Sequence, residues 1–160
     1  MPNLYVIMGP SGCGKSSIAL ALAGRTDWTM IEADDYHPAE NVEKQRNRIP
    51  LTDADRAAWL DELVCAINRN AGGSSVLACS ALTPYVQNRL RKQVKRTCFW
   101  ILIDVPQEVL KQRLTARTEH FMPVELLADQ LAALSTPADA VRVNGNQAIP
   151  AICDQILQAI

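Results

Sequence analysis

A glycine-rich segment directly after an apolar run near the N-terminus limits what this chain can fold into. The run Leu4–Met8 has the composition of a buried strand, and the next eight residues are Gly9-Pro10-Ser11-Gly12-Cys13-Gly14-Lys15-Ser16. They satisfy G-x-x-x-x-G-K-[ST], in which glycines let backbone N–H groups converge on phosphate oxygens at a helix N-terminus. The sequence therefore predicts a phosphate-binding loop between a strand and a helix.

The side chains of this loop have distinct predicted roles. Lys15 is predicted to reach the β- and γ-phosphates of ATP, and the Ser16 hydroxyl to join the coordination of Mg²⁺. A glycine-rich turn with an incidental lysine is the alternative interpretation. The predicted cofactor-binding residues are Gly9, Ser11, Gly12, Cys13, Gly14, Lys15, Ser16, Ser17 and Arg113.

Composition and charge exclude several classes of protein. A chain of 160 residues has the length of one domain that can bury a core unaided. Lysine plus arginine number 16 and aspartate plus glutamate 17, so the net charge of -1 gives no general reason to bind nucleic acid or an anionic membrane. The longest apolar stretch, Cys98–Ile103, is too short to span a bilayer, and we expect no export signal because no basic segment is visible before Leu4–Met8.

Cysteine usage indicates a reducing compartment. Five cysteines form an odd set without a Cys-x-x-Cys pair, and two histidines are too few to complete a structural zinc cluster. We therefore expect a cytoplasmic protein with free thiols. Because Cys13 stands beside Lys15 at a predicted helix N-terminus, it is predicted to react first with alkylating agents, with the other four cysteines buried.

Apolar runs alternate with longer helical patterns along the chain, which predicts an α/β domain with parallel strands covered on both faces. One helix is predicted over Lys15–Ala23, and another after Thr52-x-x-Asp55, which resembles a capping box without its long acidic partner. Further helices are predicted behind three prolines and near a fourth, namely Pro84, Pro106, Pro123 and Pro150. The predicted strands are Leu4–Met8, Trp28–Glu32, Ser75–Ser80, Cys98–Val105 and Val141–Asn144.

Carboxylates follow the second predicted strand, at the end where open α/β sheets bind ligands. The segment reads Glu32-Ala33-Asp34-Asp35-Tyr36-His37-Pro38. Glu32 and Asp34 point to one side if strand geometry persists, so one can help hold hydrated Mg²⁺ while the other accepts a substrate proton. A solvated acidic loop that caps the next helix is the alternative. The chain lacks the Asn-Lys-x-Asp signal that a GTPase would need, so a small-molecule kinase is favoured.

The order of several short motifs resembles that of the gluconate kinase family of small P-loop sugar-acid kinases. The motifs, which cover nearly the whole chain, are Met8–Ser16, Ala33–Pro38, Asn41–Lys44, Pro50–Arg56, Trp59–Leu60, Cys79–Leu82 and His120–Pro123. The resemblance implies ATP-dependent phosphorylation of D-gluconate at its 6-hydroxyl and, commonly, a homodimer. It also implies a nucleoside-monophosphate-kinase-like three-layer α/β/α fold with a five-stranded parallel sheet of order 2-3-1-4-5. We expect one P-loop kinase domain over residues 1–160, with a lid or a simple turn at residues 117–123.

The resemblance and the residue chemistry together assign the site. By similarity, Asp34 matches the acidic position near the transferred phosphate, and Lys44, Arg56 and His120 match polar positions around the pocket or lid. An anionic substrate needs a cation, which Arg56 can supply unless it pairs with a neighbouring aspartate, Asp53 or Asp55. The predicted catalytic residues are Lys15, Asp34 and Arg117; those for substrate are Asp34, His37, Lys44, Arg56, Ser80 and His120; those for metal are Ser16, Glu32 and Asp34.

Two arginines lie four residues apart on the helix that leads to the predicted lid. Arg113 and Arg117 therefore share a helix face. Closure of the lid would bring Arg117 against the β- and γ-phosphates, where a cis arginine assists phosphoryl transfer. Solvated helix arginines are the alternative.

Several positions depart from the family pattern near the expected substrate. Thr83, Pro84 and Gln87 stand in a segment where the family carries two lysines and a Tyr-Arg pair, and Arg48 and Glu119 stand at family glycines. The identity of the sugar acid therefore stays open, with another small sugar acid as the alternative. Shikimate-kinase-like and adenylylsulfate-kinase-like activities, and a non-catalytic nucleotide-binding switch, are the competing hypotheses.

Overall fold

A parallel sheet of five strands forms the centre of the computed structural model, which describes residues 1–70, 72–117 and 124–160. The spatial order of the strands is β2-β3-β1-β4-β5, so the predicted α/β fold and the order 2-3-1-4-5 are both confirmed. The strands are β1 Asn3–Met8, β2 Thr29–Glu32, β3 Ser75–Ala78, β4 Thr97–Asp104 and β5 Val141–Asn144.

Helices cover both faces of the sheet. Short 3-10 helices over Ala33–Tyr36 and Val124–Leu126 accompany the α-helices. None of the helices in the described part of the chain is long and apolar enough to cross a bilayer. The α-helices of the described residues are α1 Lys15–Arg25, α2 Ala39–Arg46, α3 Asp53–Arg69, α4 Pro84–Gln93, α5 Gln107–Ala116, α6 Leu127–Ala133 and α7 Ile149–Ala159.

Alternate residues of each strand enter two separate cores, because successive side chains of a strand point to opposite faces. On one face, Val6 of β1 packs in a core with residues of α3 and α4, including Leu60 and Leu90. On the other face, Ile7 packs with residues of α1, α5 and α7. Since helices cover both faces of the sheet, the central strands need a continuous apolar sequence. This continuous apolar pattern is the signal by which they were recognised.

The N-terminus of α3 carries a complete capping box. The Thr52 hydroxyl accepts a hydrogen bond from the Asp55 N–H (3.2 Å), and the Asp55 carboxylate accepts one from the Thr52 N–H (2.9 Å). The long acidic partner is absent, as the sequence indicates, but the shorter Asp55 reaches the same donor as a glutamate would and completes the box.

Candidate active site

The phosphate loop joins β1 to α1 and has the backbone that its glycines permit. Gly9, Gly12 and Gly14 have φ of 147°, 88° and 98°, a region that other L-residues rarely adopt. Gly14 is the N-cap of α1 and has no side-chain cap, nor does an acidic residue occupy the first turn. Within the described chain the first N–H groups of α1 therefore remain available to an anion.

A cleft opens over this loop, and we call it the nucleotide cleft. The Lys15 side chain folds back over the loop, and its ammonium donates a hydrogen bond to the Pro10 carbonyl (3.2 Å). Arg117 lies just past the end of α5 and faces the same cleft. The residues that line the nucleotide cleft are Ser11, Gly12, Gly14, Lys15, Ser16, Ser17, Asp34, Ser80, Ala116 and Arg117.

Arg113 and the cysteine of the loop are placed behind the cleft rather than in it. The Arg113 guanidinium donates to the carbonyls of Gly12 (3.1 Å), Cys13 (3.4 Å) and Gly145 (3.2 Å). Cys13 is only 1% exposed, and a Cβ on Gly9 would lie 2.8 Å from its Sγ. Gly9, Cys13 and Arg113 thus support the loop, and their predicted contacts with a nucleotide stay predictions.

The cysteines outside the loop do not have the burial expected from the sequence. Cys65 on α3 is exposed and Cys98 on β4 is partly buried, while Cys79 and Cys153 are buried. The expectation that all four are buried is therefore wrong. Cys65 faces water because it lies on the outer side of an amphipathic helix whose inner side carries Leu63 and Val64.

Oxygen ligands for a cation meet where β2 ends beside α1. The Ser16 hydroxyl donates to the Glu32 carboxylate. Burial raises the pKa of Glu32, an effect that the hydrogen bond from Ser16 opposes. A hydroxyl and a carboxylate are oxygen donors of the kind that Mg²⁺ takes. No larger cluster of three potential His, Cys, Asp or Glu ligands occurs in the described residues.

A second concavity adjoins the nucleotide cleft, and we call it the acceptor pocket. Ser11, Asp34 and Ser80 line both, so the two spaces meet at these three side chains. Each of the three follows the carboxyl end of a strand, as the topology requires of a ligand site. The remaining lining residues are His37, Gln45, Pro50, Leu51, Arg56, Trp59, Ala81, Leu82, Thr83, Val86, Leu126, Asp129, Gln130 and Ala133.

Asp34 is flanked by a buried histidine that packs on an aromatic ring. The His37 ring stacks on Trp59 with centroids 4.3 Å apart, and its Nε2 lies 3.8 Å from Asp34 Oδ1. Trp59 is fixed in turn by a hydrogen bond from Nε1 to the Ala33 carbonyl (2.8 Å). Burial lowers the pKa of His37, and the Asp34 charge opposes this shift. His37 therefore lies beside Asp34 and also lines the acceptor pocket.

The structure places the predicted cationic residues of the substrate site in different surroundings. Arg56 lines the acceptor pocket, and its guanidinium lies 3.5 Å from Asp53 Oδ1. Lys44 is absent from the lining and donates to Asp55 at 2.6 Å instead. His120 lies outside the described residues, as does the predicted lid apart from Arg117. Among the described lining residues Arg56 is the one arginine or lysine of the acceptor pocket.

One wall of the acceptor pocket comes from α6, which the sequence did not assign to the site. Gln130 Oε1 accepts a hydrogen bond from the Ser11 N–H at 2.8 Å, and its Nε2 lies 3.4 Å from the Ser11 hydroxyl. Gln87, at a position where basic residues are expected, donates to the carbonyls of Ala81 (2.8 Å) and Ser135 (2.6 Å). Gln45, Asp129 and Gln130 were missed, because no motif marks these polar side chains and α2 has no apolar stripe that would reveal its buried face.

The fold and the loop define a P-loop protein of the nucleotide-binding class, and a family model described as an AAA domain matches residues 4–137. A gluconokinase from Gluconobacter oxydans (strain 621H) is 40% identical over 98% of this chain and 90% of its own length. The chain belongs to the gluconokinase family. The structure of a gluconokinase from Sinorhizobium meliloti 1021 has a TM-score of 0.85 at 35% identity and covers 98% of this chain and 90% of that one. A sugar kinase from Janibacter sp. HTCC2649 has a TM-score of 0.90 at 34% identity, with coverage of 99% and 94%.

The competing enzyme classes share only the architecture. An APS kinase from Mycobacterium tuberculosis and a shikimate kinase from Aquifex aeolicus are 19% and 16% identical to this chain. Likeness at this level shows the fold alone. The predicted membership of a sugar-acid kinase family is confirmed, and the competing hypotheses gain no support from these structures.

Proposed function

We propose that this protein transfers the γ-phosphoryl group of ATP to the 6-hydroxyl of D-gluconate and forms 6-phospho-D-gluconate. The observation that carries the proposal is the pair of adjoining concavities that share Ser11, Asp34 and Ser80. Phosphoryl transfer needs donor and acceptor in contact and in line, and two spaces that meet at a carboxylate would let the two substrates come into contact there. The names of the relatives supply the identity of the acceptor.

The phosphate loop would hold the donor. Backbone N–H groups at the start of α1 and the Lys15 ammonium would bind the phosphates, and Lys15 would then exchange its contact with Pro10 for one with a phosphate oxygen. Ser16 and Glu32, with Asp34 close by, would hold Mg²⁺. The ion supplies charge neutralisation on the phosphate oxygens. Arg117, just past the end of α5, lines the same cleft and would stabilise the same charge.

Asp34 is the group that orients the acceptor. Its carboxylate lies where the two spaces meet, so it can accept a hydrogen bond from the 6-hydroxyl and take its proton as the new P–O bond forms. His37 stands 3.8 Å away and is stacked on Trp59, which limits the positions open to Asp34. Arg56 would hold the substrate carboxylate, with Ser80 and His37 available to hydroxyls. Lys44 and His120 remain predicted substrate-binding residues.

A coupled assay of ADP formation tests the proposal. Purified protein with ATP and Mg²⁺ is expected to release ADP only when gluconate is added, and the product should be the 6-phosphate by NMR. Other aldonates and the uncharged hexitols form the comparison set. A larger kcat/KM for another sugar acid would replace the proposed substrate, while tight ATP binding without acceptor-stimulated ADP release would support the nucleotide-binding switch.

We further propose that the enzyme works in the cytoplasm as a homodimer. All five cysteines are unpaired thiols, which suits a reducing compartment. The dimer rests on the family resemblance, and light scattering of the purified protein measures it directly. A mass of 17.6 kDa in solution would correspond to the monomer and would contradict the dimer.

A further inference from the structure

One buried side chain of the acceptor pocket has an unused hydrogen-bonding atom. Gln45 lies in the last turn of α2, is 9% exposed and lines the acceptor pocket. Its amide oxygen Oε1 is buried and has no hydrogen-bond partner among the described residues. Buried polar atoms are nearly always paired in folded proteins, so an unpaired one on a side chain that lines a ligand space calls for an explanation.

None of the described residues that line the acceptor pocket with Gln45 pairs with this oxygen. Pro50, Leu51 and Trp59 belong to the same lining and offer mainly apolar surface, apart from the Trp59 indole N–H, which is already bonded to the Ala33 carbonyl. In a largely apolar binding site, a few placed polar groups fix the orientation of the ligand. The amide oxygen of Gln45 can only accept a hydrogen bond, so the ligand atom opposite it has to be a donor.

We propose that Gln45 Oε1 accepts a hydrogen bond from a hydroxyl of the acceptor substrate and makes the enzyme selective for that hydroxyl. The inference rests on the proposed function and names a specificity residue within the same site. The substrate carboxylate carries no proton at neutral pH and is excluded as the partner. The 6-hydroxyl is excluded as well, because it meets Asp34 where both spaces join, whereas Gln45 lines the acceptor pocket alone. The partner is therefore a secondary hydroxyl of the chain.

The test compares Gln45→Met with the wild type on gluconate and on its 2-, 3-, 4- and 5-deoxy analogues. Methionine keeps the length and volume of glutamine and removes its hydrogen-bonding atoms. We expect the wild type to prefer gluconate over one of these analogues by about tenfold to a hundredfold in kcat/KM, and Gln45→Met to lose that preference. The KM for ATP should not change. Gln45→Glu, which keeps an accepting oxygen, should retain the preference.

Stability separates this role from a structural one. Replacing an unpaired buried amide by an apolar side chain should leave the melting temperature unchanged or raise it. Gln112→Met, at an exposed position on α5, is the matched control and should alter neither selectivity nor stability. A lower melting temperature for Gln45→Met, or an equal loss of kcat/KM on gluconate and on all four analogues, would overturn the inference.

The same assays distinguish failure of the proposed function from failure of the inference about Gln45. It corresponds to a wild type that forms no ADP with gluconate, whatever the variants do. In that case the same variants are compared by the shift in melting temperature that aldonates and hexitols produce in the presence of ATP. A ligand that stabilises the wild type more than Gln45→Met supports the hydroxyl contact, and equal stabilisation by every ligand overturns it.

Discussion

At the scale of single residues, the site depends on which atoms already have partners inside the protein. Lys44 and Arg113 are held by a carboxylate and by carbonyls, respectively, outside the acceptor pocket, whereas Asp34 and Arg56, with His37 and Asp53 beside them, also line a space that a ligand would fill. The distinction matters because a side chain committed to structure changes stability when it is replaced, and one that faces the ligand changes kinetics. The substitutions below use this contrast.

Replacing Asp34 by asparagine should lower kcat and change ATP binding less. The substitution keeps the shape and removes the negative charge that orients the hydroxyl, and loss of a general base typically costs about 10²–10⁴ in rate. Steady-state kinetics with both substrates measures this effect. Asp35→Asn is the matched control, because Asp35 is exposed and lies outside both linings. An unchanged kcat in Asp34→Asn would transfer the role to another carboxylate.

Replacing Arg56 by alanine should raise the KM for gluconate and leave the KM for ATP nearly unchanged. Removal of one partner from a buried, hydrogen-bonded charge pair costs on the order of 2–5 kcal/mol. An uncharged hexitol should lose less than gluconate does. Arg69→Ala removes an exposed arginine from the same helix and serves as the control. Equal losses on gluconate and the hexitol would contradict a contact with the carboxylate.

Alkylation should occur first at Cys65. This thiol is exposed on α3, whereas Cys13 is 1% exposed and packs against the backbone of its own loop. Burial also raises the pKa of Cys98 to about 11, which disfavours its thiolate. Brief treatment with iodoacetamide followed by peptide mapping measures the order, with Cys65→Ser as the control. Cys13 labelled as fast as Cys65 would restore the expectation drawn from the motif.

At the scale of elements, the capping box of α3 links helix stability to pH. The hydrogen bond from Lys44, followed by that from the Thr52 N–H, lowers the pKa of Asp55 from 3.8 to about 2. A carboxyl with a lowered pKa stabilises the folded state fully above its unfolded pKa, and loses this contribution as the pH falls through its folded pKa. The stabilisation from Asp55 should therefore be complete above pH 3.8 and disappear as the pH falls through about 2.

Thermal unfolding of Asp55→Asn across that interval measures the effect. The variant should melt below the wild type at neutral pH, and the two melting temperatures should converge as the pH falls from 3.8 towards 2. Asp53→Asn is the matched control, since it removes a charge from the same turn but leaves the Thr52–Asp55 box intact. A constant difference between Asp55→Asn and the wild type at every pH would contradict the assignment.

Sequence patterns identified the elements with a strong local signal and missed those without one. The central strands were found because buried parallel strands are continuously apolar, although the third strand ends at Ala78 rather than Ser80. Helix α2 was missed because its only buried residues are Asn41 and Gln45, so it has no apolar stripe. The phosphate loop follows from spacing alone. That α6 forms part of the acceptor pocket could not be predicted in this way, because Gln130 and Ser11, which are in contact, lie 119 residues apart in the chain.

At the scale of the whole molecule, the Gln130–Ser11 contact joins a wall of the acceptor pocket to the phosphate loop. We expect the acceptor to strengthen nucleotide binding through this contact, and by linkage the nucleotide to strengthen acceptor binding by the same factor. Calorimetry with a non-hydrolysable ATP analogue, with and without gluconate, measures the factor. In Gln130→Ala this factor, by which each ligand increases the affinity for the other, should fall towards one. Gln112→Ala on α5 is the control, and an undiminished factor in Gln130→Ala would contradict the link.

The three hydrogen bonds of Arg113 have a consequence for turnover. They tie the phosphate loop to the segment after β5, and they form from side chain to backbone without any ligand. A loop that is already rigid loses little conformational entropy when a ligand arrives, and this preorganisation improves affinity without adding a contact. Because these hydrogen bonds form when the chain folds, we expect the loop to keep its conformation between the release of one nucleotide and the binding of the next.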